Sequence, residues 1–286
     1  MNRADLGAVT TQRLSVGSPT EPFVCASGAE LPGIEIAFET YGELNDDRSN
    51  AVYVCHALTG DAHAAAHHDG DRPGWWGNLI GPGKPLDTDR FFVICANLLG
   101  GCQGTTGPAS INPETDRVYG LEFPLLQVSD FVSAHREVIK SLGISKLAAA
   151  IGGSLGGMQV LDWSLSHPEE LGAAVIIAAS SRLTAQNIAF SAVARSAIMR
   201  DPNFQEGRFL DNGTRPDLGL AIARMMAHIT YLSEPAMSEK FGRTMTDQAS
   251  PGFGTDFQVE SYLNHQGKTF LNRFDALSYL YLTRAM

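Results

Sequence analysis

The chain has 286 residues, 44% of them hydrophobic, with a net charge of −10 and a pI near 5.2. That is enough apolar material for a large buried core, and the acidic balance excludes a nucleic-acid binder, which needs a concentrated basic face. No segment approaches the length of a membrane span, the N-terminal MNRADLGAVTTQRLSVG lacks a leader's apolar run, and four cysteines show no CxxC spacing; a soluble cytoplasmic protein of a reducing compartment is expected.

Residues 34–41, IEIAFETY, alternate apolar and polar side chains and predict a half-buried strand. AVYVCHA (51–57) and FFVICAN (91–97) are continuous apolar runs, the pattern of strands buried on both faces of a parallel sheet. Between them His56, His63, His67, His68, Asp61 and Asp69 crowd one loop, with His63 and His67 at i, i+4 spacing. No second cluster of ligands accompanies them, so a polar loop at the mouth of a site is expected and no metal. LLGGCQGTTGPAS (98–110) is glycine-rich but lacks the G-K-[S/T] ending of a phosphate-binding loop, and reads as a tight loop shaping a pocket entrance.

SDFVSAHREVIKSLGI (129–144) predicts a helix capped by Ser129 or Asp130, with Phe131, His135, Val138, Ile139 and Leu142 on one face and Gly143 at its end. KLAAAI (146–151) is the next strand, LGGMQVLDWSLS (155–166) the next helix and GAAVIIAAS (172–180) a further strand. Strands alternating with helices imply an α/β fold, a mostly parallel sheet with helices on both faces. From about Ser181 the spacing turns helical, as in TAQNIAFSAVARSAIMRD, RPDLGLAIARMMAHITYLS and FDALSYLYLTRAM. The expected organisation is an α/β core over residues 1–180 and a helical cap subdomain over 181–286.

The stretch AIGGSLGGMQ (150–159) places Ser154 among four glycines, between a strand and a helix. G-x-S-x-G in that setting is the nucleophile-elbow pattern. The serine occupies a strained turn: Gly152 and Gly156 avoid clashes there, and Gly153 and Gly157 keep it tight. The helix starting at Leu155 directs its first N–H groups at the place where an oxyanion would develop. A second donor is expected from HALTGDAH (56–63), after the strand AVYVC, so the N–H groups of Leu58 and Leu155 are the candidate oxyanion hole.

With these in place, ETYGELN (39–45), HALTGDAH, GGSLGGMQ, SAVARSAI (191–198), GLAIARMMAHITYLSE (219–234), FQVESYLNHQG (257–267) and RFDALSYLYLTRAM (273–286) resemble the homoserine O-acetyltransferase family, a branch of the α/β-hydrolase fold. The resemblance covers most of the chain after residue 35. It implies that Ser154 takes an acetyl group from acetyl-CoA and passes it to the side-chain hydroxyl of L-homoserine, on the way to methionine. It also places the family's substrate-holding arginine at Arg224, whose planar fork would pair with the amino-acid carboxylate. Tyr231, at i+7 on the same helix face, lines the pocket or packs in the core. Acetyl-CoA is a substrate, so no cofactor is implied; a homodimer formed through the helical cap is. Relatives of this kind that use succinyl-CoA, or acylate serine, supply the alternative readings. A serine esterase and an inactive fragment are the others.

A serine needs a base, and in this fold the triad runs Ser…Asp/Glu…His along the chain. After Ser154 come only His167, His228 and His265. His167 lies at the far end of the helix that leaves the elbow, and the other two fall in motifs where the family places no catalytic residue. The family's acid and base follow later strands. The expectation is therefore a C-terminally truncated chain, inactive alone, with an unpaired sheet edge where those strands would pair.

Overall fold

A computed structural model describes residues 11–247 and 252–286, so the first ten residues of the stretch inspected for a leader lie outside the described residues. The chain divides into two compact units, one running to Arg182 and including Tyr281–Met286, the other Leu183–Leu280.

The first unit is built on six strands: β1 (Gln12–Val16), β2 (Ile34–Tyr41), β3 (Ala51–Cys55), β4 (Phe92–Ala96), β5 (Ala149–Gly153) and β6 (Ala174–Ile177). Their order is β1-β2-β4-β3-β5-β6, antiparallel across the first two pairings and parallel from β4 onward. Every residue of β3 and β4 is buried, as continuous apolar runs in a parallel sheet require. Cys55 and Cys95 are free thiols within them, and burial pushes both thiols upward in pKa, so they behave as small hydrophobes.

β2 departs from the half-buried strand expected of its alternation: only Glu35 and Thr40 are partly exposed. The cause is the glycine-rich loop that follows β4. β2 pairs with β4 only from Phe38 to Tyr41. Beyond that register the loop takes over, with the Thr105 and Thr106 hydroxyls accepting the N–H groups of Ala37 (2.9 Å) and Glu35 (2.8 Å).

Two helices flank the elbow strand. α1 (Val128–Ser141) begins after Gln127, and not at Ser129 or Asp130. Asp130 instead sits one turn in, where its carboxylate accepts the Gln127 N–H (2.7 Å) and the Ala26 N–H (2.6 Å). Gly143 ends the helix at φ 68°, a conformation glycine adopts without strain. Phe131, His135, Val138 and Ile139 face the core, where Tyr53 meets Trp163 of α2 (Leu155–Ser166) edge-on at 5.3 Å. β5 starts three residues later than KLAAAI suggests, because its pairing with β3 runs from Ala149 to Gly152 and carries the chain directly into Ser154. Among the described residues β6 is an edge of the sheet, with Val175, Ile176 and Ile177 41%, 39% and 41% exposed. An apolar edge of this kind is a site for strand addition.

The second unit holds α3 (Ala185–Met199), α4 (Asp217–Tyr231), α5 (Glu234–Phe241) and α6 (Gln258–Phe270). Thr184 and Ser233 cap α3 and α5 through their hydroxyls. α4 can approach α3 only because residue 219 is glycine: a Cβ there would lie 2.5 Å from the Ala197 carbonyl oxygen. The last helix, α7 (Ala276–Ala285), corrects the expectation that everything after residue 180 is cap. Its final residues belong with the first unit, where the Tyr281 hydroxyl donates to the Phe123 carbonyl at 2.8 Å and Leu282 is 1% exposed.

No helix among the described residues is long and apolar enough to cross a membrane.

Candidate active site

Ser154 stands between β5 and α2 with φ 56° and ψ −124°, in the positive-φ region that a non-glycine residue enters only at a cost of about 1–3 kcal/mol. Its surroundings enforce the turn. The Ser154 N–H donates to the Ile177 carbonyl of β6 at 3.0 Å, and its own carbonyl accepts the Met158 N–H at 3.0 Å. The side chain is left exposed at the C-terminal end of the parallel strands. Three of the four glycines are needed for space. A Cβ at Gly152 would lie 2.4 Å from the Gly156 backbone, one at Gly156 would lie 2.0 Å from the Cys55 carbonyl oxygen, and one at Gly157 would lie 2.6 Å from the Ala179 side chain. Gly153 is different: nothing lies closer than 3.8 Å, so the role expected for it in tightening the turn is not a steric one.

The two candidate oxyanion donors stand on elements that touch. Leu155 opens α2, and Leu58 lies in the turn after β3. Neither backbone N–H has a protein acceptor among the described residues. A buried amide clips the two elements together. Gln159 of α2, 0% exposed, donates from Nε2 to the carbonyls of Leu155 (3.0 Å) and His56 (3.3 Å), and its Oε1 accepts from His135 Nε2 at 2.9 Å. His56 itself is buried, with Nδ1 on the Ala57 carbonyl (2.8 Å) and Nε2 accepting the Leu98 N–H (3.2 Å). Gly60 leaves room for its ring, since a Cβ there would lie 2.8 Å from His56 Cβ. Sequence reasoning missed Gln159, because a lone glutamine on a helix carries no signal until the loop beside it is known.

Burial lowers the His135 pKa to about 3, only partly offset by its hydrogen bond to Gln159, and burial likewise lowers that of His56. His135 stays neutral in the folded protein while the unfolded chain protonates near pH 6.5. Stability linked to His135 is thus fully present above about pH 6.5 and falls as the pH drops toward 3, with a slope approaching about 1.4 kcal/mol per pH unit. Urea titrations across this range are expected to show that slope for the native protein and a shallower one for His135→Gln.

The Ser154 hydroxyl makes no hydrogen bond to a described residue. The first unit's other histidines are engaged elsewhere: His63 and His67 with Glu39, His68 with the Asp69 carbonyl, and His167 3.8 Å from Glu169. Glu39 was absent from the sequence reading of this region. Burial opposes its ionisation, but the imidazoles of His67 and His63 against it outweigh that and hold the carboxyl at about 2.

In the second unit, Arg224 is 9% exposed and lies over Phe270, its guanidinium carbon 4.7 Å from the ring centre. Arg224 Nη1 donates to the Tyr231 hydroxyl at 3.3 Å, so the i+7 spacing does bring the two side chains together. Tyr231 is 57% exposed, which excludes the core-packing alternative for it. Between them on the helix, His228 bonds the Tyr262 hydroxyl at 2.8 Å, and burial, then Arg224, lowers its pKa to about 4.

The family model for the alpha/beta hydrolase fold matches residues 50–284. A homoserine O-succinyltransferase of Nocardioides sp. is 56% identical over 98% of this chain and 77% of its own length. A homoserine O-acetyltransferase of Caulobacter vibrioides is 56% identical over 93% of this chain and 70% of its own length. Among solved structures, homoserine O-acetyltransferase from Bacillus anthracis superposes with a TM-score of 0.87 at 28% identity, covering 97% of this chain and 75% of that one.

Proposed function

Since the chain belongs to the homoserine O-acyltransferases, enzymes of the α/β-hydrolase fold, we propose that it moves an acetyl group from acetyl-CoA to L-homoserine through an acyl-enzyme on Ser154. The observation that carries this reading is Ser154 at its strained, exposed elbow, with the N–H groups of Leu58 and Leu155 unengaged among the described residues. Ser154 Oγ attacks the thioester carbonyl, its proton passing to a base. The resulting oxyanion accepts hydrogen bonds from the two N–H groups, and collapse expels CoA as the thiol. The homoserine hydroxyl then attacks the ester by the same route, giving O-acetyl-homoserine, a methionine precursor, and free Ser154.

Acetyl is preferred to succinyl because HALTGDAH and the closing SYLYLTRAM resemble the acetyl branch. Relatives of both kinds are equally similar overall, at 56% identity. Initial rates of CoA thiol release with each acyl-CoA test the preference. Acetyl-CoA should support homoserine-dependent release and succinyl-CoA far less; equal or reversed rates contradict it. Release that is indifferent to homoserine would mark an esterase.

Arg224 is proposed to hold the homoserine carboxylate, with Tyr231 beside it. Lysine keeps the charge but loses the two-pronged geometry. Arg224→Lys is therefore expected to raise KM for homoserine by about tenfold or more, while acylation of Ser154 by acetyl-CoA changes little. Steady-state kinetics with homoserine varied, set beside the single-turnover acylation rate, separates the two effects. A homodimer is also proposed, supported by the exposed Leu218, Ile222 and Ile229 along α4.

A further inference from the structure

The loop that follows β3 carries a second cluster of chemical groups. Glu39 of β2 meets His63 and His67, its Oε2 3.0 Å from His63 Nδ1 and 2.8 Å from His67 Nε2. The three side chains are only 7%, 6% and 3% exposed. Tyr41 adds its hydroxyl to the same oxygen at 3.0 Å, while among the described residues Oε1 takes the Thr11 hydroxyl, also at 3.0 Å.

Hydrogen bonding alone accounts poorly for this arrangement. The Tyr41 hydroxyl and two imidazole nitrogens crowd Glu39 Oε2, and the single Tyr41 proton is shared with the Ala62 carbonyl at 3.1 Å. His63 Nε2 lies 2.8 Å from the Arg72 carbonyl, which accepts its proton and so fixes the tautomer with Nδ1 bare. That bare nitrogen then faces an acceptor oxygen, and only a further proton or a cation between them makes the contact favourable. A ring nitrogen held by a backbone carbonyl is also the usual support of a metal-binding histidine. His67 Nδ1 is buried without a hydrogen-bond partner.

Charge points the same way. Glu39, Asp61 and Asp71 surround the cluster, and Arg72, paired with Asp61 at 3.2 Å, is the cation bonded among them. With neutral imidazoles that leaves an excess of two negative charges, which one divalent ion balances. His67 also lines a cavity of about 840 Å³ with His68, Asp69, Asp71, Asn78 and Lys84, giving an ion a way in.

We propose that Glu39, His63 Nδ1 and His67 Nε2 bind a borderline divalent transition metal of the Zn²⁺ class, which ties β2 to the loop carrying Leu58. Two imidazoles and a carboxylate are a donor set that suits such an ion. Bonds of about 2.1 Å in tetrahedral geometry separate donor atoms by roughly 3.4 Å, so the present contacts open by a few tenths of an ångström on binding. The sequence alone argued against a metal because the third ligand lies 24 residues before His63, on a strand.

The test uses the whole chain, stripped with a chelator and titrated with Co²⁺ and then Zn²⁺. Bound metal is counted by elemental analysis, and the ligand field is read from visible absorption. About one Co²⁺ per chain is expected, with the absorption of a four-coordinate site, displaced by Zn²⁺. Glu39→Gln and His67→Gln should weaken binding by about 100-fold or more, and the exposed neighbour His68→Gln should not. Failure of the native protein to retain metal at micromolar concentration overturns the proposal, whatever the variants do. So does retention that is insensitive to Glu39→Gln in a variant whose circular dichroism matches the native protein.

Discussion

Ser154→Ala is expected to fold normally, bind acyl-CoA and form no acyl-enzyme, so that no acetyl group passes to homoserine. Folding should survive because the substitution removes only a hydroxyl that bonds no described residue. The positive φ at this position penalises serine and alanine alike, so the substitution adds little strain. Chemistry fails because the oxyanion hole has no tetrahedral adduct to stabilise. Unchanged thermal unfolding beside lost turnover would separate this from a folding defect, and retained turnover would remove Ser154 from the mechanism.

Gly156→Ala is expected to have the largest effect on stability. Its new Cβ would lie 2.0 Å from the Cys55 carbonyl oxygen, 2.8 Å from the Cys55 carbonyl carbon and 3.1 Å from the His56 oxygen. These are backbone atoms of β3 and of the loop just after it, and no side-chain rotation relieves the clash. α2 would have to move off the sheet, breaking the Gln159 contact with His56 and shifting the Leu155 N–H with it. A loss of at least about 3 kcal/mol follows, enough to leave much of the protein insoluble. Gly153→Ala, three residues earlier in the same motif, provides the contrast: its nearest neighbour is 3.8 Å away, and a cost below about 1 kcal/mol is expected. Thermal and urea unfolding of the two variants, side by side, would show whether glycine is needed at each position for space or for sequence pattern alone.

Much of this was legible in the residues. The continuous apolar runs of β3 and β4 placed two buried parallel strands, and the glycines around Ser154, set between a strand and a helix, placed the strained turn on which it sits. These signals are local, so a short window carries them. What stayed hidden depends on partners distant in the chain. β2 reads as half-buried because its outer cover, the 98–110 loop, is not visible in its own alternation. Gln159 and Glu39 gain their roles only when the fold brings them to His56 and to His63 and His67. The last turns of α7 look like any cap helix until the Tyr281 hydroxyl finds the Phe123 carbonyl.

The central claim, an acyl group carried by Ser154, is tested most directly by peptide mass spectrometry of the protein mixed with acetyl-CoA and then with L-homoserine. Added imidazole supplies a base at a hydroxyl that has no hydrogen-bonded base among the described residues, so the reaction is run with and without it. The peptide containing Ser154 should gain one acetyl group, faster with imidazole, and lose it when homoserine arrives. Acetyl on another residue, an ester that homoserine does not discharge, or no acetylation under either condition would contradict the account.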